Sequence, residues 1–463
     1  MRRLPVGALL AALWISGPAA AQAPAKDELF GQIDGIVAQL ADISGLHPLA
    51  RVRSAHLSRD QMKQFLEQRI RESVKPQEIQ AEEAVLKKFG FAPPEFDLKK
   101  TTVDLLAEQA AAFYDFHKKK LFVIDTQDGL DERTALVHEL AHALADQHFH
   151  LARFIGRGSQ NDDSALARLA VMEGQATWLM SEYVARQSGR SLKDSPELVK
   201  AMSDMNGASS GQFPVFDKSP RYLQETLLFP YSQGMLFQQA VVEKLGKAAF
   251  SEVFRRPPET TQEILHPALY LDRKEHGKRA RPALPAFQAQ RHYRGFTDGE
   301  MGELDNSILL RQYAGDKQAA AIAPEWRGGY FRLFEPKHHQ PDWRQMVLVY
   351  ASEWSSPTQA RAYFEVYQKV LAGKWKTFEV TSHSADAVAG RGDDGYFLLR
   401  LDGARVTSLE GLPEAELPHS PLSARTGSIE AARRAGTYAA PSATAVSTTT
   451  AAAISHGSLG FTP

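Results

Sequence analysis

Hydrophobic positions along the chain fall by turns into helical and strand periods. "SRDQMKQFLEQRIRESV" places Met62, Phe65, Leu66 and Ile70 on one face behind a cap at Ser58, and residues 22–100 read as mostly helical, closed by Pro93 and Pro94. "QAAAFYDFHKKKLFVID" alternates on either side of a polar lysine turn, over 110–116 and 121–125, which predicts a β-hairpin. Helical patterning resumes at Asp131 or Glu132 and keeps Leu136, Val137, Leu140 and Leu144 on an apolar face. A longer helix follows in "NDDSALARLAVMEGQATWLMSEYVARQSG", with Asp162 or Asp163 as its expected cap. Gly174 lies inside that helix, where glycine costs about 1 kcal/mol against alanine. Its presence predicts a place where another backbone comes close, expected to be the preceding helix.

The pattern changes again downstream. Residues 274–295 are basic, proline-containing and unpatterned, and read as a linker with solvated charges. Residues 296–412 read as a smaller α+β unit. Its strands are "GGYFRLFE", "QMVLVYASEW" and "DGYFLLRLDGARVTSLE", and its helix is "SPTQARAYFEVYQKVLAG", capped by Ser356 with Pro357 in the first turn. Residues 413–463 are rich in Ala, Ser, Thr and Pro and predict disorder. At the other end, Arg2 and Arg3, an apolar stretch from Val6 to Ile15 and the small residues Ala19–Ala21 predict a secretory signal peptide over 1–21. The expected localisation is therefore secreted or periplasmic, with no integral membrane segment after cleavage. Removing the two arginines takes the net charge from −1 to −1 − 2 = −3.

Composition narrows the chemistry. The 463 residues are 43% hydrophobic and 24% charged, ordinary for a globular protein, and the near-zero net charge gives no reason to expect a nucleic-acid partner. Cysteine is absent, so disulfides and thiolate chemistry are excluded and any metal must rest on histidine and carboxylates.

The stretch "HELAH", His138 to His142, then stands out. Two histidines four apart project from one helix face and can reach a single ion, while Glu139 lies close enough to hold a water at the metal without binding the metal itself. A catalytic zinc needs a third protein ligand and an open fourth position. His148 has the spacing of an extended HExxHxxGxxH motif, but the glycine which that motif needs is Ala145. If the helix runs on, His148 points about 100° away from the mean direction of the two histidines. Glu173 on the following helix, sharing a face with Ala170 and Thr177 and flanked by Gly174, is the better third ligand.

An HExxH helix followed by a ligand glutamate on a later helix resembles the gluzincin clan of zinc metallopeptidases, of which thermolysin is the best-known member. The hairpin "AAFYDFHKKKLFVI" leading into "HELAHALAD" is similar to the thermolysin-type arrangement. Taken with "MEGQA", "FPYSQGMLF" and "PPETTQEILHP", the set looks closer still to a group of poorly characterised secreted bacterial HExxH proteins. The resemblance implies an α+β fold with a zincin-like catalytic core over 101–273, between the helical N-terminal part and the small α+β domain. It implies one zinc ion on His138, His142 and Glu173, Glu139 as general base, and hydrolysis of a peptide or protein substrate by a Glu-activated, zinc-bound water. The first hairpin strand becomes the rim of the cleft, where Ala112 would let an extended substrate approach.

The sequence departs from thermolysin in its longer gap from His142 to Glu173, and in Met172 and Thr177, which replace polar neighbours. Asp146, one turn beyond His142, is either a support for the ligands or a solvated helix carboxylate. His266 and Tyr231, both expected in proline-marked loops, are candidates for the donor that stabilises the oxyanion. The remaining histidines, at 47, 56, 117, 276, 292 and 338–339, show no ligand spacing and read as surface or core. Two rival functions remain: a non-catalytic secreted protein with a structural or vestigial zinc site, and a zinc hydrolase of non-peptide amides such as cell-wall material.

Overall fold

A computed structural model describes residues 31–58, 75–109, 112–124, 132–158, 161–206, 213–287, 291–337 and 342–414, with scattered positions between 60 and 68. The signal peptide, Asp131, Ala110, Ala111 and all but the first two residues of the tail expected over 413–463 lie outside the described residues. The architecture mixes helices with two sheets and is α+β. No described helix is long and apolar enough to cross a membrane.

Helix α1 (Ile33–Ser44) opens the described chain, and β1 (Arg53–Leu57) follows it. Ser58 caps the next turn as expected: its Oγ accepts from Gln61 N at 3.2 Å, and Gln61 Oε1 accepts from Ser58 N at 2.9 Å. Helices α2 (Pro76–Phe89) and α3 (Leu98–Gln109) lead to the hairpin β2 (Ala112–Asp115) and β3 (Lys120–Ile124). The N-terminal stretch read as mostly helical therefore supplies a strand as well. β1 pairs in parallel with β3, so the hairpin becomes a three-stranded sheet of order β1-β3-β2. Among the described residues no strand pairs with the other edge of β2.

Helix α4 (Glu132–Phe149) carries the HExxH stretch and runs on past Ala145 without a break. A short α5 (Leu151–Gly158) separates it from the 26-residue α6 (Asp162–Gln187). The cap of α6 is Asn161 rather than either aspartate: its side chain accepts from Asp163 N at 3.0 Å and Ser164 N at 3.3 Å. Helices α7 (Pro196–Asn206) and α8 (Pro214–Lys218) return the chain to α9 (Arg221–Leu245), which packs along α6 more extensively than any other helix pair. Three short helices follow, α10 (Ala249–Arg255), α11 (Thr261–Leu265) and α12 (Pro267–Leu271).

The stretch expected as a linker is ordered where described and carries paired charges. Arg279 binds Glu259 and Glu300, His276 binds Glu263, and Ala280 N donates to Arg327 O at 2.6 Å. Strand β4 (Tyr293–Glu300) begins inside it. With β5 (Trp326–Pro336), β6 (Val347–Trp354), β7 (Phe378–His383), β8 (Ala387–Gly392), β9 (Gly395–Asp402) and β10 (Arg405–Leu412) it forms a seven-stranded antiparallel sheet of order β4-β5-β6-β10-β9-β8-β7. Helices α13 (Glu303–Ala314), α14 (Asp316–Ile322) and α15 (Pro357–Lys374) complete it, and Ser356 Oγ caps α15 by accepting from Gln359 N.

One apolar core runs from α1 through α4, α6 and α9 to β5, β6 and α15. A second, smaller cluster (Met62, Leu105, Phe113, Phe122, Phe216, Leu227, Leu228) covers the opposite face of the hairpin. Alternation along β2 divides the strand between them: Ala112 and Tyr114 face α4, and Phe113 faces the smaller cluster. The hairpin in front of the HExxH helix is thus packed on both sides.

Candidate metal centre

Helix α4 brings His138 and His142 onto one face, as their i, i+4 spacing requires. Helix α6 crosses it and presents Glu173. The three ligand atoms form a nearly equilateral triangle: Nε2 of the two histidines lie 3.0 Å apart, and each is 3.1 Å from Glu173 Oε2. Among the described residues this is the one group of three or more such side chains arranged to hold a metal ion.

The donor chemistry fits a cation better than a hydrogen-bond network. A neutral imidazole carries at most one proton on Nε2, and that proton points along a single direction. Two such nitrogens and a carboxylate oxygen can satisfy at most two of the three contacts, which leaves lone pairs or N–H groups facing each other in a site only 1–2% exposed. A cation among the three atoms removes that conflict. Ligand atoms about 3.3 Å apart are what tetrahedral bonds of 2.0–2.1 Å imply.

The electrostatics express the same crowding. Burial pushes His138 down to about 4, against the pull of Glu173. Burial also opposes the charge on His142, but Glu173, Glu139 and Asp146 outweigh it and hold His142 above its ordinary value. Burial would raise Glu173, yet the two imidazoles keep it low.

Glu139 is buried beside this group but is not part of it. Its Oε2 accepts a 2.7 Å hydrogen bond from the backbone N–H of Tyr114 in β2. Burial, reinforced by the Glu173 charge, pushes its pKa up to about 8. Since Tyr114 pairs with Leu121 in the antiparallel ladder, an outward N–H at Tyr114 marks that pair as non-hydrogen-bonded, and Ala112, two residues back, also turns its polar backbone groups to the free edge. Ala112 itself is 1% exposed.

The other candidates sort clearly. His148 Nε2 lies 2.8 Å from His47 O and takes no part in the triangle, so the extended HExxHxxGxxH reading fails for the geometric reason expected. His266 pairs with Glu303 at 2.8 Å, and the charges acting on it are Glu303 and Arg327, none of them at the centre. Tyr231 does reach the centre: its ring lies 6.0 Å from that of His138, and its hydroxyl bonds the Glu173 carboxylate. Burial and the charges of Glu173 and Glu139 raise its pKa. It does so from inside α9, not from a loop, because the helix continues through Pro230.

Gly174 makes the expected close contact, but with a different partner. A Cβ there would stand 2.2 Å from Gly234 C, and one on Gly234 would stand 2.3 Å from Ala170 O. The near backbone is therefore α9, and the crossing of these two glycines seats Tyr231 against Glu173. Asp146 is neither solvated nor bonded to a ligand. It is 1% exposed and accepts from the Tyr114 hydroxyl at 3.0 Å, Lys119 Nζ at 2.5 Å and Leu151 N at 2.8 Å. Sequence spacing gave no signal for these two partners in the hairpin.

Comparison with known proteins adds one match. A family described as a domain of unknown function (DUF8575) matches residues 290–420, the region of the seven-stranded sheet, under a third of the chain and clear of the centre. No curated protein and no solved structure matches the chain.

Proposed function

We propose that the protein is a secreted or periplasmic zinc metallopeptidase of the gluzincin type, with a zincin-like core formed by the β1–β3 sheet, α4 and α6. The observation that carries this reading is a fourth carboxylate, Glu139, buried next to the three-ligand set yet held by the β2 backbone instead of joining the ligands. A site that only binds metal has no use for it. His138 and His142 would hold the ion through Nε2 and Glu173 through Oε2. Zinc in that position supplies a Lewis acid that lowers the pKa of water and polarises a carbonyl.

The chain's own groups then have distinct roles. The Tyr114 amide fixes one oxygen of Glu139, so the other takes the proton from the attacking water and returns it to the leaving nitrogen. A pKa near 8 is lowered by a nearby cation toward the range where a carboxylate acts as base at neutral pH. Of the two candidate donors only Tyr231 lies at the centre, and its hydroxyl, which bonds Glu173, would turn from that carboxylate to the developing oxyanion. An extended peptide adds to the free edge of β2, where Ala112 lets its backbone come close.

One observation favours a second reading. Glu139 and Ala112 are both about 1% exposed, as expected for a metal site that does not turn over. The test is zinc content of the purified mature chain together with cleavage of casein and short peptides, with and without chelator. Zinc-dependent cleavage supports the peptidase. Stoichiometric zinc without cleavage supports the non-catalytic site, and release from purified cell wall alone moves the substrate to non-peptide amides.

A further inference from the structure

The turn between β2 and β3 is built in an unusual way. Asp115 Oδ1 accepts from His117 N at 2.8 Å and Lys118 N at 3.0 Å, which sets the turn, and Arg53 Nη2 of β1 donates to Lys118 O at 2.6 Å. The last turn residue, Lys119, has φ 52°, the left-handed region that glycine or asparagine enters at lower cost. A lysine is held there against backbone preference. Its ammonium reaches across to Asp146, whose side chain has no exposure at all.

Asp146 in turn binds the Tyr114 hydroxyl, and the same tyrosine donates its backbone N–H to Glu139. Two bonds from one residue thus tie strand β2 to helix α4 at points seven residues apart, 139 and 146. Among the described residues Lys119 is the cation that pairs with the buried Asp146 carboxylate. Leu151 N, the third donor on Asp146, belongs to the start of α5.

We propose that Lys119, Asp146 and Tyr114 form a clamp that positions the base. The left-handed lysine is kept for its ion pair with Asp146, the pair fixes the Asp146 carboxylate, and Asp146 holds the Tyr114 ring so that the Tyr114 amide meets Glu139. Their side chains bind one another and the Tyr114 amide binds the base, so all three are positioning residues. The kinetic consequence rests on the peptidase reading, whereas the geometric one does not.

Tyr114→Phe is the mild variant, removing one hydroxyl. Lys119→Ala removes the charge, Lys119→Gly removes it while relaxing the backbone, and Lys119→Arg restores it. Zinc content should stay near that of the parent in all four. Tyr114→Phe, Lys119→Ala and Lys119→Gly should lower kcat by roughly 10- to 100-fold, the scale of a small misplacement of a catalytic group, with KM within about twofold. Lys119→Arg should recover most of the loss. Amide hydrogen exchange in a peptide covering 112–116 should rise about tenfold in the same three variants relative to a peptide covering 132–149.

Unchanged kcat and exchange in Tyr114→Phe and Lys119→Ala would overturn the clamp. So would a parallel loss of zinc and kcat with uniform exchange, which marks a merely structural ion pair. If the parent cleaves no peptide while exchange over 112–116 responds as described, the peptidase reading fails and the clamp stands.

Discussion

Replacing Gly174 or Gly234 with alanine probes how the centre is assembled, because Glu173 precedes one of these glycines by one residue and Tyr231 precedes the other by three. Ordinary van der Waals contact begins at 3.4 Å, so an alanine Cβ at 174 needs 3.4 − 2.2 = 1.2 Å of separation and one at 234 needs 3.4 − 2.3 = 1.1 Å. The atoms in the way are backbone, Gly234 C and Ala170 O, and cannot rotate aside. Helix propensity alone would make each change stabilising by about 1 kcal/mol. Overpacking of this kind costs about 1–3 kcal/mol, more when backbone must shift, so a net loss of up to about 2 kcal/mol is expected.

The larger effect falls on the metal. Moving α6 about 1 Å from α9 shifts Glu173 relative to two nitrogens that lie 3.1 Å from its oxygen, and zinc affinity should fall by roughly 10- to 100-fold, as when a supporting group is lost. Denaturant unfolding and zinc competition with a chelator measure the two effects. Gly156→Ala in α5, where an added Cβ meets nothing within 4 Å, is the control and should show the propensity gain with zinc affinity unchanged. If Gly174→Ala and Gly234→Ala behave like Gly156→Ala, the glycine crossing does not set the site.

Three further outcomes are expected. Glu173→Ala should remove most of the bound zinc and His148→Ala almost none, measured as metal per chain; the reverse would restore the HExxHxxGxxH assignment. Burial pushes Asp163 up to about 8 and Asp305 up to about 6, so the folded chain holds protons that unfolded carboxyls release near 4. Stability should therefore be greatest below about pH 4 as far as these groups are concerned and fall as pH rises toward 8. Asp163→Asn should flatten that slope in denaturant titrations across the range, and an unchanged slope would show that Asp163 folds ionised. Ala112→Pro fixes φ and removes an outward N–H, so it should retain zinc while raising KM for short extended peptides; an unchanged KM would mean that substrate does not lie along β2.

Much of the centre was legible because its geometry is local. The i, i+4 histidines, the continuing helix after Ala145 and the hairpin alternation depend on a few consecutive residues, and the structure follows them. Glu173 was readable through its glycine neighbour, since a glycine inside a helix marks close backbone contact, but the same signal does not say which helix makes the contact. Strand β1 leaves no pattern in the sequence, because "RSAHL" is five residues of mixed polarity whose parallel partner lies far along the chain. Pro230 ordinarily interrupts a helix, so the sequence suggests a loop at Tyr231. Here α9 runs on through Pro230 to Leu245. The sequence leaves Asp146 open between a support for the ligands and a solvated carboxylate, because its partners Tyr114 and Lys119 come from a separate element and no helical period encodes a contact between elements.

The central claim is that Glu139 acts on water beside a metal held by three other residues, and Glu139→Gln tests it most directly. The variant should keep zinc near one per chain, because Glu139 is held by the Tyr114 amide and is no ligand. Zinc-dependent peptide turnover should drop by about 10²–10⁴-fold, the contribution of a general base. Turnover close to that of the parent, or zinc lost along with activity, would contradict the account.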